Sequence, residues 1–145
     1  MRRGWIVLLA LVLLVTGILT GCGPAKGTAE WHAEQAYKLA EQGHYDEAIE
    51  ECNKAIELDP NLAAAYNNRA WAYNEKGQYD LAIADCNKAI ELDPSLFEAY
   101  WNRAWAYTLQ GKNAKAIADF EKFITLTDNP QWIEMAGQQI KELKK

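Results

Sequence analysis

The chain has 145 residues, with 15 Lys and Arg against 20 Asp and Glu, a net charge of −5. Half of it is hydrophobic and 24% is charged, the balance of a globular protein, and no stretch is Ser-, Pro- or Gln-rich enough for wholesale disorder. The acidity argues against a nucleic-acid binder, which carries a basic face; three cysteines exclude a disulfide scaffold, and two histidines exclude a His-rich metal site.

The chain opens with Met1, Arg2 and Arg3, a short positive start, and then runs from Trp5 to Leu19 almost without a polar group. Fifteen helical residues span about 22 Å, short of a bilayer core of about 30 Å. A positive start before a short apolar run reads as a secretory signal rather than a mature membrane span. Leu19-Thr20-Gly21-Cys22 follows directly and resembles the lipobox of bacterial lipoprotein precursors. That resemblance implies cleavage of a signal peptide, residues 1–21, and acylation of Cys22 as the first residue of the mature chain. Two acyl chains at about 0.8 kcal/mol per buried CH₂ hold a protein on a membrane durably. An uncleaved signal anchor with an incidental cysteine is the competing reading.

Gly23 rather than Asp follows Cys22, so an Asp-type inner-membrane retention signal is absent, and the sequence does not choose between inner and outer membrane. The expected location is the extracytoplasmic side of a bacterial envelope. Loss of residues 1–21 removes Arg2 and Arg3 and moves the net charge from −5 to −7. Residues 22–28 hold the lipidated Cys and a linker, Gly23 to Gly27, whose reach is about 17 Å when fully extended. An acidic domain held this close is discouraged from lying flat on anionic headgroups.

From Ala29 the sequence repeats itself every 34 residues. With Ala29, Ala63 and Phe97 in register, the first and second segments share 18 identities and the second and third share 16. Ala36, Ala70 and Ala104 recur at one position, Gly43, Gly77 and Gly111 at another, and Ala48, Ala82 and Ala116 at a third. Tyr45 and Tyr79 match, as do Pro60 and Pro94. This period and these residues resemble the tetratricopeptide repeat (TPR) family, over residues 29–130. The resemblance implies an all-α fold: a right-handed α-α superhelix, or solenoid, of three helix-turn-helix repeats at 29–62, 63–96 and 97–130, with a capping helix at 131–145.

Physics accounts for the recurring residues. The paired alanines let two helix backbones approach closely. The glycines supply the positive φ that ends the first helix of each pair, expected at positions 2–14 of each repeat. Asp46 and Asp80 suit the positive end of the second helix, expected at positions 18–31. Leu-Asp-Pro at 58–60 and 92–94 stops it, because Pro disfavours a helical residue before it. One helix pair cannot bury its own apolar face, whereas a stack of three can.

The third repeat departs from the pattern: Asn113 replaces Tyr, Phe123 replaces Ala, and Asp128 replaces Pro. Asn129-Pro130 reads as an N-cap followed by the first helical residue. Ile133, Ala136, Ile140 and Leu143 then form an amphipathic stripe, and Lys141, Lys144 and Lys145 sit at the helix end that favours cations. Phe123 is expected to reach this cap, and Trp132 to join the contact.

Cys52 and Cys86 fall at equivalent core positions about a helix diameter apart, too far for a disulfide, and read as buried free thiols. His32 stands where the other repeats have Tyr66 and Tyr100, and reads as a partly buried substitute; His44 reads as a solvated turn residue. Arg69 and Arg103 share one position, and Asp85 and Asp119 another that faces it in an antiparallel pair, so a structural Arg–carboxylate bridge is expected in each. No nucleophile–base set or metal constellation is in view, and the expectation is a non-enzymatic protein without cofactor, metal or nucleic-acid partner.

In the TPR family the first helix of each pair lines a concave groove. The resemblance carries that surface onto Glu30, Ala33, Glu34, Tyr37, Ala40 and Glu41; then Ala64, Asn67, Asn68, Trp71, Asn74 and Glu75; then Glu98, Trp101, Asn102, Trp105, Thr108 and Leu109. Asn can donate to and accept from an extended backbone, Trp and Tyr supply rigid apolar area, and carboxylates beside aromatics favour cations. The implied guest is an extended, neutral-to-basic peptide or partner protein, contacted by Asn67, Asn68, Trp71, Trp101, Asn102 and Trp105, with Glu75 and Glu98 tuning charge.

Chaperone-binding members of the family grip an acidic C-terminus with a clamp of Lys, Asn and Arg. The matching positions here are Ala33, Tyr37, Asn68, Glu98 and Asn102, of which only Asn68 agrees, so an acidic tail is not the expected guest. The expectation is therefore a membrane-anchored adaptor. A homo-oligomerising envelope lipoprotein and a glycan or cell-wall binder are the alternatives, since exposed aromatics also serve self-association and stack on sugars.

Overall fold

The computed structural model describes residues 23–145, so the expected signal peptide and the expected lipidation site, Cys22, lie outside the described residues. All regular elements among the described residues are helices: α1 (Ala29–Glu41), α2 (Tyr45–Leu58), α3 (Ala63–Glu75), α4 (Tyr79–Leu92), α5 (Phe97–Leu109), α6 (Asn113–Leu126) and α7 (Pro130–Leu143). None is long and apolar enough to cross a membrane. The α1–α6 helices begin and end one residue earlier than the repeat pattern implied. They form three antiparallel pairs, and α7 packs on α6. The odd-numbered helices α1, α3 and α5 abut one another directly, whereas each even-numbered helix contacts the next odd one. The layer that abuts is the inner layer of the superhelix, and its free side is the concave face.

Turn chemistry sets these boundaries. Gly43, Gly77 and Gly111 have φ of +82°, +73° and +71°. Each donates its N–H to a carbonyl three residues back, and the following residue donates five residues back, as in His44 N to Leu39 O at 2.9 Å and Gln78 N to Tyr73 O at 2.8 Å. This is a Schellman close, which needs a left-handed residue at its centre. Thr28 Oγ1 caps α1 by accepting from Trp31 N at 3.2 Å, and Asn129 Oδ1 caps α7 by accepting from Gln131 N and Trp132 N at 3.0 and 3.3 Å. After α2 and α4, Asp59 and Asp93 accept from the backbone of Asn61 and Ser95, both at 2.9 Å. Tyr66 and Tyr100 do more than fill core: their hydroxyls donate to the carbonyls of Pro60 and Pro94, pinning each turn to the following helix.

The interior is built mostly of alanine. The largest fully buried side chains are Phe120, Phe123, Cys52 and Cys86. Phe120 and Phe123 occupy the positions held by Cys52 and Cys86, and by Ala55 and Ala89, in the earlier repeats. A full repeat brings its own backbone close and needs only small residues there. At the end of the array a single helix, α7, takes its place, and the phenyl rings fill the wider space. Ala136, Ile140 and Leu143 of α7 pack onto this cluster.

Both expected Arg–carboxylate bridges form. Arg69 donates from Nε and Nη2 to the two oxygens of Asp85 at 2.7 and 2.8 Å, and Arg103 does the same to Asp119 at 2.7 and 2.7 Å. The guanidiniums also reach across repeats. Arg69 Nη1 donates to Asn53 at 2.7 Å, and Arg103 Nη1 to Asn87 at 2.6 Å. Each lies near a tyrosine ring as well, 5.6 Å from the centroid of Tyr66 or Tyr100. Repeat one has Gln35 at the Arg position. There Glu51 is hydrogen-bonded to His32 Nδ1 and accepts from Lys54 Nζ, both at 2.6 Å, so the partly buried His32 also engages a carboxylate.

Candidate functional site

The concave face carries three adjoining clefts. The largest, about 490 Å³, is walled by Tyr37 of α1, Asn67, Asn68 and Trp71 of α3, Phe97, Glu98, Trp101 and Asn102 of α5, Phe123 of α6 and Trp132 of α7. A second, of about 210 Å³, lies between Trp71, Asn74 and Glu75 of α3 and Trp101, Asn102 and Trp105 of α5. A third, about 280 Å³, is shallower and opens among Glu30, Ala33, Glu34, Tyr37, Leu62, Ala64 and Asn68. All eight groove residues singled out in the sequence line the first two clefts. Cys22, the remaining one, lies outside the described residues.

The helical repeat explains this gathering. Residues three or four apart share a helix face, so Asn67, Asn68, Trp71 and Glu75 rise along one side of α3, and Glu98, Trp101, Asn102 and Trp105 along the matching side of α5. Phe97, Phe123 and Trp132 were not among the sequence candidates. Their signal was an aromatic ring where earlier repeats carry alanine, at Phe97 and Phe123, and an aromatic in the first turn of the cap. Trp101 is the hub: its ring meets Phe120 at 5.2 Å, Phe123 at 5.1 Å and Trp132 at 5.5 Å between centroids, which fixes its orientation. Tyr37 and Trp71 sit 5.6 Å apart and close the other side.

The asparagines have two tasks. Asn68 Nδ2 donates to Ala33 O at 2.9 Å, Asn102 Nδ2 to Asn67 Oδ1 at 2.9 Å, and Asn74 Nδ2 to Asn102 O at 2.8 Å. These bonds tie α1, α3 and α5 together. Asn67 and Asn74 are consequently only 8% and 5% exposed. Asn68 and Asn102 stay half-buried in the cleft wall, and among the described residues neither Oδ1 accepts a hydrogen bond.

The electrostatics are one-sided. No Lys or Arg lines any of the three clefts, whereas Glu30, Glu34, Glu75 and Glu98 do. Lys38 neutralises Glu34 at 2.6 Å from outside the clefts. Glu75 accepts only a long bond from the Tyr45 hydroxyl, at 3.4 Å. Desolvation and then the Glu75 charge push the Tyr45 hydroxyl above its ordinary pKa, and a hydrogen bond to Glu41 does the same for Tyr37. Among the described residues no group of three or more His, Cys, Asp or Glu is placed to hold a metal ion. Cys52 and Cys86 are free and buried on the far side of the inner helices, and burial pushes the Cys52 thiol up to about 12.

Family models for the tetratricopeptide repeat match residues 63–96 and 86–118, and a TPR repeat model matches residues 36–73. The first TPR domain of human RPAP3 is 31% identical and superposes with a TM-score of 0.74, over 80% of this chain and 89% of that one. The chain belongs to the tetratricopeptide repeat family. A second similar TPR structure is the first TPR of Spaghetti (RPAP3) bound to the HSP90 peptide SRMEEVD, at 30% identity and a TM-score of 0.71, covering 81% of this chain and 94% of that one. In sequence, an SGT1 homolog of rice is 49% identical over 39 residues, 27% of this TPR chain and 11% of that protein's length. The TPR assignment accounts for the period, the glycine turns and the alanine columns. The aromatic and carboxylate lining of the clefts is a property of this chain's own residues.

Proposed function

We propose that this TPR protein is a lipid-anchored adaptor whose concave groove holds an extended, neutral-to-basic segment of a partner protein. The observation that carries the reading is the lining of the groove: indole rings, half-buried asparagine carbonyls and carboxylates, with no cation of its own. Indoles offer rigid contact area at low entropic cost, and the free Oδ1 atoms of Asn68 and Asn102 suit the N–H groups of an extended backbone. Similar TPR domains bound to chaperone peptides support the use of such a groove for a peptide, and their SRMEEVD guest is acidic at its end. Here Glu98 and Ala33 stand where a carboxylate clamp uses lysines, so the charge preference is reversed. The membrane anchor is read from Leu19-Thr20-Gly21-Cys22, and it would keep the groove within a few tens of ångströms of the lipid.

The test is crosslinking and capture from membranes of cells expressing the full chain, against a Trp71→Ala, Glu98→Lys variant of equal helicity. Loss of a captured partner in the variant supports the groove as its site. Retention of the same partners moves the interaction to the ends of the stack. In the same cells the wild-type chain should be labelled by a fatty-acid analogue and Cys22→Ser should not. A membrane-bound but unlabelled wild-type chain instead identifies an uncleaved anchor.

A further inference from the structure

The smaller cleft has a composition distinct from the larger one. Its walls are the indoles of Trp71, Trp101 and Trp105, with Glu75 at the rim and Asn74 at the back. Tryptophan is the ring that best holds a cation over its face. Trp105 is 36% exposed, so part of its ring is open to a guest. Glu75 has an available carboxylate, since its single bond, from Tyr45, is long. The neighbouring cation, Lys76, is turned away to Asp46 and does not neutralise it. A second, independent feature points the same way. Asn74 is 5% exposed, its Nδ2 is engaged by Asn102 O, and its Oδ1 is buried with no hydrogen-bond partner. An unsatisfied buried acceptor costs about 1–3 kcal/mol, so a donor that reached Asn74 Oδ1 from this cleft would be favoured.

We infer that this cleft seats one guanidinium or ammonium group, carried on a lysine or arginine side chain of the bound peptide and selected by Trp71, Trp101, Trp105 and Glu75. The inference rests on the groove being a peptide site and adds to it a definite anchor. Trp71, Trp101 and Asn102 wall both the smaller cleft and the larger one, whose far side is the apolar trio Phe97, Phe123 and Trp132. Side chains two apart on an extended peptide point the same way and stand about 7 Å from one another. The recognised segment is therefore a basic residue with an apolar residue close to it in the peptide.

The experiment uses the full chain in detergent micelles with its tryptophans labelled with ¹⁵N, titrated with Nα-acetyl-arginine methylamide and, in parallel, with its neutral citrulline counterpart. The expected result is a saturable shift of the Trp71, Trp101 and Trp105 indole N–H signals with the arginine compound only, Trp31 remaining fixed as an internal reference. Glu75→Gln, a change at an exposed position that leaves the fold intact, should weaken that binding by about threefold to tenfold. An equal response to citrulline, no saturable shift at these indoles, or full affinity in Glu75→Gln overturns the cation seat. Failure of this inference is separable from failure of the groove reading. If the chain still selects peptides from a random library, lost on Trp71→Ala, but without enrichment of Lys or Arg, the groove stands and the cation seat falls.

Discussion

Arg69 and Arg103 join three things at once: the opposite helix of their own pair, the preceding repeat, and a tyrosine ring. A flexible lysine could not hold both carboxylate oxygens and a third acceptor in one plane. The pairs are mostly buried, with side-chain exposures of 19% and 10% for Arg69 and Asp85, so removing one partner strands a charge in a poorly solvated place. Arg69→Ala is expected to destabilise by about 3 kcal/mol, and the cycle with Asp85→Ala to show a coupling of about 1–3 kcal/mol in urea unfolding. Zero coupling would mean that the guanidinium acts only through its stem and its ring contact. The cysteines give a complementary expectation. With burial holding the Cys52 thiol near 12 and raising Cys86 further, neither should react with a disulfide reagent at pH 8 in the native state, and both should react together on unfolding. Reaction of one thiol without loss of helicity would reveal a local opening between repeats.

At the scale of the elements, the turns are the least forgiving part of the design. Gly77 sits at φ +73°, and an added methyl would meet only the Tyr79 hydroxyl at 3.9 Å, an ordinary contact, so the cost is backbone strain. Gly77→Ala is therefore expected to lower stability by about 1–2 kcal/mol, visible as a drop in the thermal midpoint with an unchanged helical spectrum. The first pair carries a pH dependence of its own. Burial alone would raise the Glu51 carboxyl, but hydrogen bonds from Lys54 and His32 outweigh it and hold the group below its ordinary 4.5. A depressed carboxylate contributes stability that is present above its unfolded value and is lost as pH falls through the folded one. Stability of the α1–α2 pair should fall below about pH 4.5, and Glu51→Gln should flatten that limb; a wild-type profile unchanged by the substitution would assign acid sensitivity elsewhere.

Much of this was legible because the chain states it more than once. The Arg–Asp pairs recur at the same offset in two repeats, and the turn glycines in three, so spacing alone places them. The links between repeats were not legible. Asn53 and Asn87 meet the arginines only because one pair is displaced along the stack from the next, and that displacement follows from packing rather than from spacing. His32 escaped for the opposite reason: it breaks the repeat, and a single departure has no second copy to interpret it. The groove residues followed from periodicity and the family's concave face. The aromatic wall formed by Phe97, Phe123 and Trp132 depends on the angle at which α7 closes the array, and no helix pattern encodes that angle.

For the whole molecule, stability in a stack is a sum of repeat terms and of interfaces between neighbours, so the ends are its weak places. Here the two ends differ. The C-terminal end is closed by α7 over the Phe120–Phe123 cluster, whereas the first pair has Gln35 in place of the arginine and holds Glu51 with a histidine and an exposed lysine. Amide exchange should accordingly be fastest in α1 and α2 and slowest in α5 and α6; uniform protection along the chain would show that the stack opens as one unit.

The missing guanidinium in the first pair has a mechanical meaning. With the anchor proposed at Cys22, a pull from a bound partner would pass through Gly23–Gly27 and enter the stack at α1. The helices that would yield first under such a load contribute only Tyr37 to the large cleft and nothing to the small one. Trp71, Trp101 and Trp105 stand on α3 and α5, beyond the first arginine link, Arg69 to Asn53. A guest held in the groove would thereby sit behind the part of the chain that gives way, much as a rope is knotted past the length meant to stretch.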